Sequence, residues 1–170
     1  TRCRVIWGPS LLSRLRFRDM SIARIGHGYD LHRLEPLPPD GSGRPMVLAG
    51  IPLDHDRGPV GHSDGDVVLH AVTDALLGAI CEPDIGQLFP DTDPQHDGAD
   101  SSQFLQEAVR RVQDRGFQIG NIDITIICQQ PKIGPHKESM RTRLSSLLAC
   151  DLDSVNIKGK THEEVDAVGE

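Results

Sequence analysis

Ile122-Asp123-Ile124-Thr125-Ile126-Ile127-Cys128 is the strongest strand signal in the chain, with partial period-two alternation. Pro131 and Gly134-Pro135 break it, a helix is predicted over about 136–149, and Val155-Asn156-Ile157-Lys158 reads as another strand. A strand, a helix and a strand in succession predict two layers, in the α/β or α+β class.

Working outward, Phe104, Leu105, Ala108, Val109 and Val112 give the apolar stripe of a helix from about Ser101 to Arg115, stopped by Gly116. Before it, Glu82 to Gly98 is a long acidic loop without a clear period, and that length points to function. A further helix is predicted from Ser63 as N-cap, with Asp66 three residues on, running through Val67, Leu69, His70, Ala71, Asp74, Leu77 and Gly78. Asp64 and Asp66 suit its positive end. Met46 to Ile51 reads as one short strand between two loops, 36–44 and 54–61. Arg24-Ile25-Gly26-His27-Gly28-Tyr29-Asp30 reads as a strand. There is no internal repeat.

The chain has 170 residues, enough for one domain with a sizeable core. Apolar residues make up 37 % and aromatics only 4 %, so Val, Ile, Leu and Ala build that core. A formal charge of −7 argues against general nucleic-acid binding, which needs a basic face. No apolar run reaches the length of a membrane span. Cys3, Cys81, Cys128 and Cys150 form no C-x-x-C pair and read as reduced, buried thiols. Residues 1–19 are rich in Arg, with no acid before Asp19, and read as a segment apart from the fold. Such a segment is either sequence upstream of a start at Met20 or a targeting peptide. Residues 20–170 then form the single domain.

Three clusters carry chemistry. Asp30 and His32 sit at i and i+2, so on a strand they share a face. His70, near the second turn of the next helix, can close a three-ligand set. Two imidazoles and a carboxylate suit zinc and leave a fourth position open to polarise a phosphoryl oxygen. An isolated D-x-H is common as an ion pair, so spacing alone leaves both uses open. His62-Ser63-Asp64-Gly65-Asp66 stands at a helix start, where backbone N–H groups and the Ser63 hydroxyl can hold an anion, or Ser63 can simply cap. Gly159-Lys160-Thr161-His162-Glu163 is similar to the end of a P-loop, but position 154 is Ser, so a Walker A loop is rejected. Lys160 and Thr161 can still hold phosphate, and Glu163 a second divalent ion.

Together, Arg24–His32, Gly61–Asp66, Leu69–Gly78, Asp84-Ile85-Gly86 and Leu88–Asp93 resemble the 2-C-methyl-D-erythritol 2,4-cyclodiphosphate synthase family of the non-mevalonate isoprenoid pathway. The resemblance runs from Arg24 to about Glu164. It implies an α+β fold, a mixed sheet packed on one face by helices, assembled as a homotrimer with sites between subunits. The implied reaction is conversion of 4-diphosphocytidyl-2-C-methyl-D-erythritol 2-phosphate to the cyclic diphosphate with release of CMP. By resemblance, Asp30, His32 and His70 bind Zn²⁺, and Glu163 contacts a second cation, Mg²⁺ or Mn²⁺. His62 and Thr161 match positions that stabilise the transition state. Substrate contacts map to Asp30, Leu31, His32, His62, Ser63, Asp84, Ile85, Gly86, Phe89, Pro90, Asp91, Thr92 and Asp93. On the other side they map to Lys160, Thr161, His162, Glu163 and the cytidine loop from the adjacent subunit, Cys128, Gln129, Gln130, Pro131, Lys132, Ile133 and Gly134. Lys160 and His162 replace smaller groups. Family members continue past a point matching Gly169-Glu170 into a final strand, which this sequence lacks. The implied partners are the cytidine substrate and the chain itself, with neither nucleic acid nor membrane. The implied compartment is bacterial cytoplasm, or plastid stroma if residues 1–19 belong to a transit peptide. The alternative is a non-catalytic trimer that binds a cytidine nucleotide or an isoprenoid diphosphate.

Overall fold

The structure is a computed structural model, and it describes residues 23–161 together with Glu163 and Val165. The segment 1–19, Cys3, His162 and the end of the chain lie outside the described residues.

Six strands and four helices are described: β1 (Leu34–Pro36), β2 (Val47–Leu48), β3 (Ile51–Pro52), β4 (Arg57–Pro59), α1 (Val67–Ala79), α2 (Ile85–Leu88), α3 (Ser102–Asp114), β5 (Ile122–Ile127), α4 (Lys137–Leu148) and β6 (Val155–Lys160). β5 and β6 pair in parallel, Ile122 opposite Val155 and Ile127 opposite Lys160, with α4 as the crossover. This is the predicted strand–helix–strand unit. Ile126, Val155 and Ile157 face inward and meet Met140, Leu144 and Leu148 of α4. Leu69, Leu77 and Ile80 of the α1 region and Leu105, Val109 and Val112 of α3 complete the core. At the end of α3, Gly116 takes φ 76° and Phe117 N–H returns to Val112 O at 3.1 Å, which closes the helix where the glycine signal placed it.

The architecture is α+β, but three expectations need correction. In place of one mixed sheet, the described residues hold three two-stranded ladders: antiparallel β1–β4, antiparallel β2–β3 and parallel β5–β6. Met46–Ile51 is not one strand. Ala49 and Gly50 take φ 53° and 72° and fold it into a hairpin, because both of their N–H groups donate to the buried Asp66 carboxylate, at 2.9 and 2.6 Å. Arg24–Asp30 joins no ladder among the described residues; it lies along α1. A Cβ at Gly26 or Gly28 would stand 1.7 Å from Ala75 O or 1.8 Å from Ala71 O. The alternating pattern there records backbone pressed on a helix rather than strand pairing. The free thiols also differ from expectation: Cys81 is exposed, and Cys128 and Cys150 are half-buried.

Candidate metal centre

The segment docked on α1 delivers Asp30 and His32 to the first turns of that helix, where His70 waits. Asp30 Oδ2 lies 3.2 Å from His32 Nε2 and 3.0 Å from His70 Nδ1. The ligand atoms of the three residues all lie within 4.8 Å of one another. The side chains keep 27 %, 17 % and 14 % of their surface, so the cluster is half-buried. Burial pushes the Asp30 carboxyl up, but the hydrogen bond from His70 and the charge of His32 outweigh it and hold the group below the usual carboxylate value. One carboxylate and two imidazoles converging on one point are a donor set that can hold a metal ion.

The loop before α1 does not cap it as predicted. The N-cap is Asp66, whose carboxylate accepts Val68 and Leu69 N–H at 3.1 Å each. Gly65, at φ 73°, turns the chain between Ser63 and Asp66, so Ser63 lies outside the helix. The expected anion site at this helix end is therefore taken up by the protein's own carboxylate. Ser63 is buried, with its Oγ 3.0 Å from His70 Nε2, while His62 is exposed. His32 Nδ1 lies 2.9 Å from Gly65 O.

The acidic loop folds back toward the same place. Asp84 caps α2, accepting Gln87 N–H at 2.9 Å, and Ile85 N–H donates to Asp74 of α1 at 2.8 Å. Phe89 stacks on Phe104 with centroids 4.5 Å apart, and Phe104 lies 6.2 Å from the His70 ring. Asp93 caps the turn Pro94–His96; Gly86, Pro90, Asp91 and Thr92 are exposed. A second group gathers at the C-terminal ends of the parallel strands. Cys128 N–H donates to Lys160 O at 2.8 Å, and Ile133 packs over Gly159. Glu163 N–H donates to Thr161 Oγ1 at 3.3 Å. Lys132 and Lys160 are exposed there. Sequence reasoning missed Ser101, Phe104, Asp74 and the Gly65 carbonyl. None sits in a spacing that marks chemistry, and Ser101 reads as the start of a helix.

Fold and site together define an α+β protein with a three-residue candidate metal centre beside a folded acidic loop. The chain belongs to the YgbB family, whose pattern matches residues 23–170. It is 58 % identical over 147 residues to the chloroplastic 2-C-methyl-D-erythritol 2,4-cyclodiphosphate synthase of Arabidopsis thaliana, covering 86 % of this chain and 61 % of that protein. It is 51 % identical over 146 residues to the synthase of Pectobacterium atrosepticum, covering 86 % and 85 %. The chain spans 61 %, 60 % and 64 % of the length of three plant relatives. A solved synthase structure matches with TM-score 0.76 at 44 % identity, covering 84 % of this chain and 91 % of the other. A form bound to CDP matches with the same TM-score, 0.76, at 42 % identity.

Proposed function

We propose that this chain converts 4-diphosphocytidyl-2-C-methyl-D-erythritol 2-phosphate to 2-C-methyl-D-erythritol 2,4-cyclodiphosphate and releases CMP. The observation that carries this reading is the convergence of Asp30, His32 and His70 in a chain so similar to proteins of that name. The substrate's own 2-phosphate is the nucleophile, so no side chain attacks. Its oxygen bonds to the diphosphate phosphorus farther from cytidine. The bond from that phosphorus to the CMP oxygen breaks, and CMP leaves with the electron pair. The protein's task is to position the groups and stabilise charge.

Asp30, His32 and His70 hold Zn²⁺ in this reading, and Glu163 contacts Mg²⁺ or Mn²⁺. When bound, these cations neutralise charge that develops between the phosphates. His62 and Thr161 stabilise the transition state. Ser63, Asp84–Gly86 and Phe89–Asp93 line the methylerythritol-phosphate side, and Cys128–Gly134 the cytidine side. Residues 20–170 act as one domain in a homotrimer with sites between subunits. Identity to chloroplastic relatives supports a plastid stroma, and identity to bacterial relatives the cytoplasm. Among the described residues no helix is long and apolar enough to cross a membrane.

The test is incubation of the full chain, loaded with Zn²⁺, with substrate and Mg²⁺. Phosphorus NMR is expected to show equal amounts of CMP and cyclic diphosphate. Asp30→Asn is expected to purify without zinc and to release no CMP. Folded, zinc-loaded wild type that yields no CMP defeats the reading. Normal zinc content in Asp30→Asn defeats the ligand assignment.

A further inference from the structure

The two ring nitrogens of His70 face different groups. Nδ1 lies 3.0 Å from Asp30 Oδ2, on the side where the metal ligands meet. Nε2 lies 2.8 Å from Ser101 Oγ, and that oxygen lies 2.5 Å from Asp64 Oδ1. A carboxylate only accepts hydrogen bonds. Asp64 already takes Ser101 N–H at 3.2 Å and Asp66 N–H at 3.1 Å, which fixes where it points. The one hydroxyl hydrogen of Ser101 therefore goes to Asp64. Its oxygen is left to accept from His70, so Nε2 carries a hydrogen, while Nδ1 faces the Asp30 carboxylate, which accepts from it where no metal is bound. Ser63 does not reverse this direction. Its oxygen accepts Gly65 N–H at 3.1 Å and lies 3.2 Å from Ser101 Oγ and 3.0 Å from His70 Nε2, where it offers that nitrogen a second acceptor.

Ser101 carries a second mark of this use. It stands at the N-cap of α3 yet makes no cap bond; Asp100 serves Ser102 N–H instead, at 2.8 Å. A cap serine ordinarily spends its oxygen on the helix N–H groups. This one is 0 % exposed and spends it on Asp64 and His70. The other ligand histidine is fixed by the same loop. His32 Nδ1 faces Gly65 O at 2.9 Å, and a carbonyl only accepts, so a hydrogen sits on Nδ1 and Nε2 is the nitrogen turned to Asp30, 3.2 Å away.

We infer that Asp64 and Ser101 are positioning residues for the metal centre: the chain Asp64–Ser101–His70 anchors a hydrogen on Nε2 of His70 and leaves Nδ1, beside Asp30, as the nitrogen that takes the metal. Outer partners of this kind set the tautomer and ring orientation of ligating histidines. The inference deepens the metal-dependent reading and rests on it. Its test needs no substrate, so the two fail separately. Loss of CMP release with the tautomer intact sinks the cyclase alone.

The measurement is two-bond hydrogen–nitrogen NMR of the histidine rings in the zinc-loaded full chain. Ser101→Ala and Asp64→Asn assign and perturb the His70 signal. Wild type is expected to show the metal on Nδ1 and a hydrogen on Nε2 that exchanges slowly with solvent, and Ser101→Ala is expected to speed that exchange. Zinc affinity, measured against a chelator, is expected to fall about 10–100-fold in Ser101→Ala. Asp64→Asn is expected to weaken it as well, and the double variant to be no worse than the weaker single one. Zinc-loaded wild type with the metal on Nε2 of His70 and a hydrogen on Nδ1 overturns the inference, whatever the variants do. So does a folded Ser101→Ala that keeps slow Nε2–H exchange and binds zinc within about twofold of wild type.

Discussion

Asp66 shows how one side chain can set two elements at once. Its carboxylate accepts four backbone N–H groups, two from the β2–β3 turn and two from the first turn of α1. Burial pushes its pKa from 3.8 up to about 6, against the pull of those N–H bonds. A carboxyl whose folded-state pKa is raised binds its proton more tightly when folded. Its contribution to stability is then fully present below the unfolded value of 3.8 and is lost as pH rises through about 6. The shift corresponds to a change on the order of 3 kcal/mol across that window. Asp66→Asn removes the titration. It also leaves a single acceptor oxygen where two served, so the variant is less stable at every pH. The difference in unfolding free energy between wild type and variant, read from urea curves between about pH 4 and 7, is expected to shrink as pH rises. A difference that stays flat or grows defeats the assignment. The sequence marked Asp66 only as the far end of a capping box, because its partners at Ala49 and Gly50 come from a hairpin that no local pattern announced.

At the scale of elements, what was legible in the sequence is what local periodicity controls. α3, α4, β5 and β6 lie within a few residues of their predicted places; α3 carries a clear apolar stripe and stops at Gly116, and α4 is bounded by Gly134-Pro135 before it and the β6 signal after it. What failed was decided by contact between distant parts. The alternation in Arg24–Asp30 looked like strand pairing, but glycine recurs there because the backbone touches α1. Gly28→Ala tests that contact. Its Cβ would meet Ala71 O at 1.8 Å, so the segment must lift from the helix. The loss is expected to be at least about 2 kcal/mol, as for other forced overpacking. Asp30 and His32 follow two and four residues later, so zinc affinity is expected to fall with it. Gly120→Ala, with nothing within 4 Å of the new atom, is the control and is expected to change neither. Stability and zinc binding unchanged in Gly28→Ala would mean that the segment is free to reposition.

For the whole molecule, the three clusters marked in the sequence gather at two places in the fold. The candidate metal centre lies at the start of α1, and the loop 128–134 lies with Lys160, Thr161 and Glu163 at the ends of β5 and β6. Spacing put Asp30 and His32 on one face but left an ion pair as open as a metal; the family resemblance joined them to His70, and the fold brings the three together. Ser101 was not legible, because its role exists only once α3 is folded beside α1. The proposed trimer makes a specific demand on the two clusters: each site takes metal ligands from one copy and the cytidine loop from its neighbour. Closed symmetric assembly places every such pair in the same arrangement. Asp30→Asn and Lys132→Glu chains are each expected to be inactive alone, Lys132 being an exposed cation in the loop. Co-expressed, they give some sites with an intact Asp30 from one chain and an intact Lys132 from the other. Random assortment in a closed ring makes that about one site in four. CMP release is therefore expected to return to about a quarter of the wild-type rate. Mixed assemblies that stay inactive, although mass measurement shows both chains in one particle, would place the loop and the metal centre of each site in the same chain.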